Sequence, residues 1–153
     1  KARATMARFE AAQKNGPVYT QAGVEAGALK YLSNWNKLSL TADFFYNSFT
    51  YAWLFTQEYD RGKQFQRALG SSLIVEDEVL LGRVGMTGGV GVILYQPVMS
   101  GGPYYEQLGV QYHFLNLESE THKDKMRNLF AGVYLKTHWA NAEFVKFGVG
   151  VEW

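Results

Sequence analysis

The sequence predicts an all-β chain: an antiparallel transmembrane β-barrel of about eight strands, or the C-terminal part of a larger barrel. Three observations carry this. Segments of roughly ten residues alternate apolar side chains with polar ones or glycine, as a strand with lipid on one side and a polar lumen on the other requires. No apolar run approaches the roughly 18 residues that a membrane helix needs. Aromatic residues make up 16% of the chain and glycine occupies 16 positions, a bias toward strands and close backbone approach and away from helical bundles.

The alternation can be followed strand by strand. Between Val18 and Tyr31, one parity carries Val18, Ala22, Val24, Ala26 and Ala28, and the other Gln21, Gly23, Glu25 and Gly27. After a turn around Ser33 to Lys37, a strand from about Leu38 to Phe49 sets Leu38, Leu40, Ala42, Phe44 and Tyr46 against Ser39, Thr41, Asp43 and Asn47. A weaker strand runs from about Arg67 to Glu78. In the next, Val84, Met86, Val90, Val92 and Leu94 oppose Gly85, Thr87, Gly89 and Gly91, so the glycine face should be crowded. Tyr104, Leu108, Val110, Tyr112 and Phe114 then oppose Gln107, Gly109, Gln111 and His113, and Leu129, Ala131, Val133 and Leu135 oppose Gly132, Lys136 and His138. The last strand alternates Val145, Phe147, Val149, Val151 and Trp153 with Lys146, Gly148, Gly150 and Glu152.

These are seven strands, whereas bacterial single-chain barrels use even numbers. Either Lys1 to Gly16 forms the missing strand, or the chain continues upstream. The reading is therefore one barrel domain over residues 1–153, with a poorly defined N-terminal segment over 1–17. A soluble sandwich would also alternate, with its apolar face turned to a core. The aromatic Trp153 at the end of an alternating last strand favours the barrel, because it resembles the C-terminal signal of outer-membrane proteins. If the C-terminus is periplasmic, the loop Gln96 to Pro103 and the long segment Thr50 to Gln66 are extracellular. The charged loop Leu115 to Asn128 is then periplasmic despite its length.

Charge and motifs narrow the function. The net charge is +1 with Lys and Arg spread along the chain, so no basic stripe exists to neutralise a row of phosphates, and nucleic acid is not an expected partner. Absence of Cys excludes disulfides and thiolate metal sites. The run Gly85 to Gly91 has the glycine content of a phosphate loop but no Lys-Ser or Lys-Thr after it, and reads as strand interior. The acidic cluster Glu76, Asp77 and Glu78 reads as a solvated turn between strands. His113 and His122 have no partner at metal-ligand spacing and read as incidental. Neither a metal nor an organic cofactor is expected.

The segment Leu135-Lys136-Thr137-His138-Trp139-Ala140-Asn141-Ala142-Glu143-Phe144, followed by Gly148-Val149-Gly150-Val151-Glu152-Trp153, resembles the end of PagL-like lipid A deacylase barrels, the acyloxyacyl hydrolases, particularly those of Bacteroidetes. Gly91 to Pro97 and Tyr105 to Phe114 look like the same group, so the resemblance covers the second half well and the first half only as barrel strands. It implies a bacterial outer-membrane location and contact with lipid A. It also implies ester hydrolysis by a His, any residue, then Ser-Asn, with a Glu further on: the Ser attacks an acyl ester, the His takes its proton, the Glu orients the His and the Asn helps hold the oxyanion.

Carried onto this chain, His138 is the base, Asn141 the oxyanion donor and Glu143 the orienting acid, at a shorter spacing than the family's. Ala140 stands where the Ser would be. A methyl group cannot attack a carbonyl, so the nucleophile is absent unless water or another hydroxyl such as Thr137 replaces it. Strand parity points His138 into the lumen, although a bulge near Trp139 to Ala142 could reverse that. Two roles stay open: a lipid A ester hydrolase, and a non-enzymatic structural or accessory subunit that contacts lipid or other outer-membrane proteins. A pore is disfavoured, because side chains fill barrels of about eight strands.

Overall fold

The computed structural model describes residues 1–10, 16–97, 102–114, 128–139 and 141–153. Among these, eight antiparallel strands follow one another around a closed barrel: β1 (Ala2–Glu10), β2 (Val18–Ser33), β3 (Asn36–Asn47), β4 (Leu69–Leu81), β5 (Val84–Tyr95), β6 (Tyr104–His113), β7 (Asn128–His138) and β8 (Asn141–Glu152). The strand missing from the sequence count is β1. It pairs with β2 on one side and with β8 on the other, for example Thr5 with Gly23 and with Gly148, and so closes the sheet without an edge.

Which face is inside decides between barrel and sandwich. The apolar parity faces outward and the polar parity inward: Val90 is 65% and Phe147 63% exposed, while Glu76 and Lys37 are each 1% exposed. Burying carboxylates and ammonium groups while exposing Val and Phe is untenable in water, where the apolar face must be covered. In a bilayer it is the required arrangement.

The lumen is filled. Arg3 donates to Glu25, through Nε at 2.8 Å, and its second nitrogen lies 3.3 Å from Glu76. Lys146 donates to the other Glu25 oxygen at 2.7 Å, and Gln107 donates to Glu76 at 2.7 Å. Nearer the C-terminus, Lys37 bridges Glu152 at 2.8 Å and Glu78 at 2.9 Å. The inward glycines make room for rings. A Cβ on Gly109 would lie 2.3 Å, and one on Gly148 3.1 Å, from the Tyr134 ring, while Gly91 and Gly150 give the same room to Tyr105 and Phe130. The crowded glycine face of β5 is therefore real: Gly91 gives room to the Tyr105 ring, and Gly85 and Gly89 abut the Glu78 and Glu76 side chains.

Three expectations need correction. Glu76, Asp77 and Glu78 do not form a solvated turn but lie within β4. There Glu76 and Glu78 point inward into ion pairs, and Asp77 faces out to accept from Asn36 at 2.7 Å. Phe49, expected at the end of β3, belongs to helix α1 (Ser48–Thr56), and Arg67, expected to begin β4, ends the short helix α2 (Gln64–Arg67). The Asn47 side chain ends β3 by capping α1, accepting from the backbone N–H of Phe49 at 2.9 Å and of Thr50 at 3.3 Å. The segment Thr50 to Gln66 thus carries helical turns between β3 and β4. The loop Leu115 to Asn128 lies outside the described residues except for Asn128, which opens β7.

Candidate functional site

The β7–β8 hairpin turns tightly after His138, with Trp139 in the left-handed region at φ 51° and its ring exposed. His138 pairs with Asn141 and Thr137 with Ala142, but Lys136 pairs with Phe144, so Glu143 is an extra residue on β8. This is a β-bulge. Strict alternation would place Glu143 on the outward face with Val145. The bulge instead brings its carboxylate to the inward-facing Lys136 and His138, 3.2 Å from Lys136 Nζ and 3.1 Å from His138 Nε2. The bulge falls at Glu143, one residue beyond the Trp139 to Ala142 stretch where one was expected; it re-aims Glu143 and leaves His138 facing inward, as its parity predicts.

His138 is buried, and its ring is held from both sides. A backbone carbonyl can only accept, so Nδ1–H donates to the Tyr104 carbonyl at 2.9 Å, while Nε2 faces Glu143. Lys136 is enclosed by aromatic faces, with its ammonium 4.6 Å from the Tyr105 ring centre and 5.4 Å from that of Phe144. Tyr105 is fixed in turn by a 2.9 Å hydrogen bond with Ser72.

Of the predicted site residues, His138 and Glu143 are brought together. Asn141 lies beside His138 in the backbone ladder, and its side chain and Ala140 lie outside the described residues. Thr137 is not brought to the His: its hydroxyl donates to Glu106 on β6 at 2.9 Å. Sequence reasoning missed Lys136 as the third member of the cluster, although its parity with His138 was visible.

It also misjudged His113. Far from incidental, His113 Nε2 lies 2.7 Å from Glu78 Oε1 in the buried cluster with Lys37 and Glu152 near the C-terminal end of the barrel. His122 lies outside the described residues.

Chemically, a Ser–His–acid site needs one ring nitrogen on the acid and the other free toward the nucleophile. At His138 the acid is within reach, with Glu143 3.1 Å from Nε2, so the first condition is approached. The second is not, because the Tyr104 carbonyl occupies Nδ1.

Comparison with known proteins places the chain. The family model described as acyloxyacyl hydrolase, C-terminal domain, matches residues 3–153. No curated protein and no solved structure matches.

Proposed function

Because the chain belongs to the acyloxyacyl hydrolase C-terminal domain family, we propose that it is a bacterial outer-membrane barrel whose ester-cleaving site is degenerate, so that it serves as a structural or accessory component in contact with outer-membrane lipid, lipid A among it. The observation that carries the reading is the state of His138. Nδ1 donates to the Tyr104 carbonyl and Nε2 lies 3.1 Å from the Glu143 carboxylate, and the sequence supplies Ala140 where the family carries its nucleophilic hydroxyl. The outer-membrane assignment rests on the family and on the outward apolar rows. An outer-wall groove of about 690 Å³, opened by the small residues Ala4 and Ala131 between Met6, Tyr112, Val133 and Phe147, offers a place for a lipid chain or a neighbouring barrel.

A second reading is favoured by one feature, the retained His138–Glu143 contact. It holds that hydrolysis survives with a substitute nucleophile. Mass spectrometry of lipid A from cells producing the chain separates the two. The degenerate reading expects the acyl pattern to be unchanged; loss of one acyl chain that disappears with His138→Ala overturns it. In an Ala140→Ser variant the new hydroxyl could add to an ester carbonyl as His138 takes its proton. The sugar hydroxyl would leave with that proton, and water would then release the acyl group. Gain of deacylation there would mean that only the nucleophile has been lost.

A further inference from the structure

The α1–α2 segment carries aromatic residues that neither the lumen nor the candidate site uses. α1 is apolar nearly all round. Thr50 and Leu54 are buried, whereas Tyr51, Trp53 and Phe55 are exposed, as are Tyr59 and, in α2, Phe65. On a helix Tyr51 and Phe55 share one flank. That flank is continuous with the lipid-facing wall: Tyr46 occupies the outward parity of β3 next to exposed Phe44, the Phe65 ring stacks on Tyr46 at 5.4 Å, Tyr51 lies 6.5 Å from it, and Phe55 stacks on Tyr51 at 6.3 Å.

The segment is also pinned against the barrel. The backbone closes its base through Asn47 N–H to the Ala68 carbonyl at 3.0 Å, and the Ser48 hydroxyl accepts from Thr20 N–H at 2.7 Å. Arg67 donates to Asp60 at 2.8 Å and reaches the Tyr95 hydroxyl on β5 at 3.4 Å.

We infer that the Tyr46–Tyr51–Phe55–Phe65 flank lies in the outer-leaflet interface, so that α1 and α2 form a membrane-surface anchor extending the barrel's lipid contact beyond the ends of β3 and β4. An apolar ladder left in water would be an unusual surface for a soluble loop. Aromatic rings at the level of lipid headgroups and upper chains are the normal furnishing of a barrel rim, and a short apolar helix lying in that plane buries one side among acyl chains. Continuity of the ladder with the outward row of β3 selects lipid as the occupant over a soluble partner. The inference rests on the outer-membrane reading above.

The test places a single fluorophore on the flank. With Trp35, Trp53, Trp139 and Trp153 each replaced by Phe, Phe55→Trp is compared with Phe44→Trp, a probe on the barrel wall. Both are refolded into phosphatidylcholine vesicles with or without acyl chains brominated near the carbonyl, and titrated with iodide. The expected result is a blue shift of the Phe55→Trp emission on insertion, loss of emission to brominated lipid, and resistance to iodide. Quenching of Phe55→Trp by iodide, while brominated lipid quenches only Phe44→Trp, overturns the anchor and leaves the membrane barrel standing. Shielding of Phe55→Trp from both quenchers overturns it in favour of a protein contact. If brominated lipid quenches neither probe, the outer-membrane reading falls and the anchor falls with it. Phe65→Trp in the same background supplies the flank reading should Phe55→Trp fail to refold.

Discussion

Arg3→Met tests whether the filled, charged lumen holds the barrel together. Methionine keeps most of the aliphatic volume, so the loss is electrostatic. Arg3 Nε lies 2.8 Å from Glu25, its second nitrogen 3.3 Å from Glu76, and its guanidinium 4.1 Å from the centre of the Tyr134 ring. Removing it strands two buried carboxylates. Breaking one partner out of a buried ion pair costs about 3–5 kcal/mol. Lys146 on Glu25 and Gln107 on Glu76, each at 2.7 Å, offset part of that, which places the charge contribution near the lower end. The lost ring contact adds about 1 kcal/mol, for a total of about 4 kcal/mol. The measurement is urea unfolding of the barrel refolded in phosphatidylcholine vesicles, followed by Trp emission and by the heat-modifiable gel shift. Arg3→Met combined with Glu76→Gln removes the carboxylate left with the weakest compensation and should recover about half of the loss. A cost below about 1 kcal/mol for Arg3→Met, or no recovery in the double variant, would refute the reasoning.

Four further outcomes can be measured. Gly109→Ala puts a Cβ 2.3 Å from the Tyr134 ring and 2.7 Å from the Thr87 hydroxyl and should cost about 1–3 kcal/mol in the same titration. Gly88→Ala, whose nearest neighbour is Leu108 at 3.7 Å, should be close to neutral. Val90→Arg, near the middle of β5 on the exposed face, should cost about 2–4 kcal/mol in vesicles, and a neutral result would argue against lipid at that face. Deleting Trp153 should lower the fraction of chain that reaches the heat-modifiable form in the outer-membrane fraction of producing cells, and unchanged yield would remove the case for it as an assembly signal.

Strand parity made much of the fold legible. The rows Val24/Ala26/Ala28 and Phe147/Val149/Val151 do face outward, and Glu25, Lys146 and Glu152 inward. β1 escaped because its signal is inverted in part: Arg8 sits on the outward parity, while Ala7 is buried inside and Ala2 and Ala4 outside are small. α1 escaped because Tyr51-Ala52-Trp53-Leu54-Phe55 has no apolar stripe of helical period. Only the Asn47 cap, itself the last residue of a strand, marks its start. Within the site, His138 was located by resemblance and its direction by parity, but the Glu143 contact depends on a bulge that no local pattern encodes. The lumen network was hidden for a more general reason: Arg3 meets Glu76 across 73 residues of sequence and Lys37 meets Glu152 across 115. Glu76 and Glu78 could nevertheless have been read as a pair, since residues two apart share a face of a strand.

The filling of the lumen also limits where function can reside. Lys1, Arg3, Lys37 and Lys146 pair with Glu25, Glu76, Glu78 and Glu152 inside the wall, and Lys136 pairs with Glu143 near the rim, so ion pairs compensate a desolvation that would otherwise disfavour folding. Tyr134, Tyr105 and Phe130 occupy the space that the inward glycines open. Among the described residues these paired charges and rings occupy the interior, as side chains do in barrels of about eight strands. What remains accessible is the outer wall and the rim that carries the β7–β8 turn and the α1–α2 segment. On the proposed outer-membrane reading a lipid can reach both, since it diffuses in the plane of the wall. On that reading ester chemistry and the proposed aromatic anchor are two uses of one rim, and the proposed degeneracy at Ala140 abolishes the first while leaving the second intact.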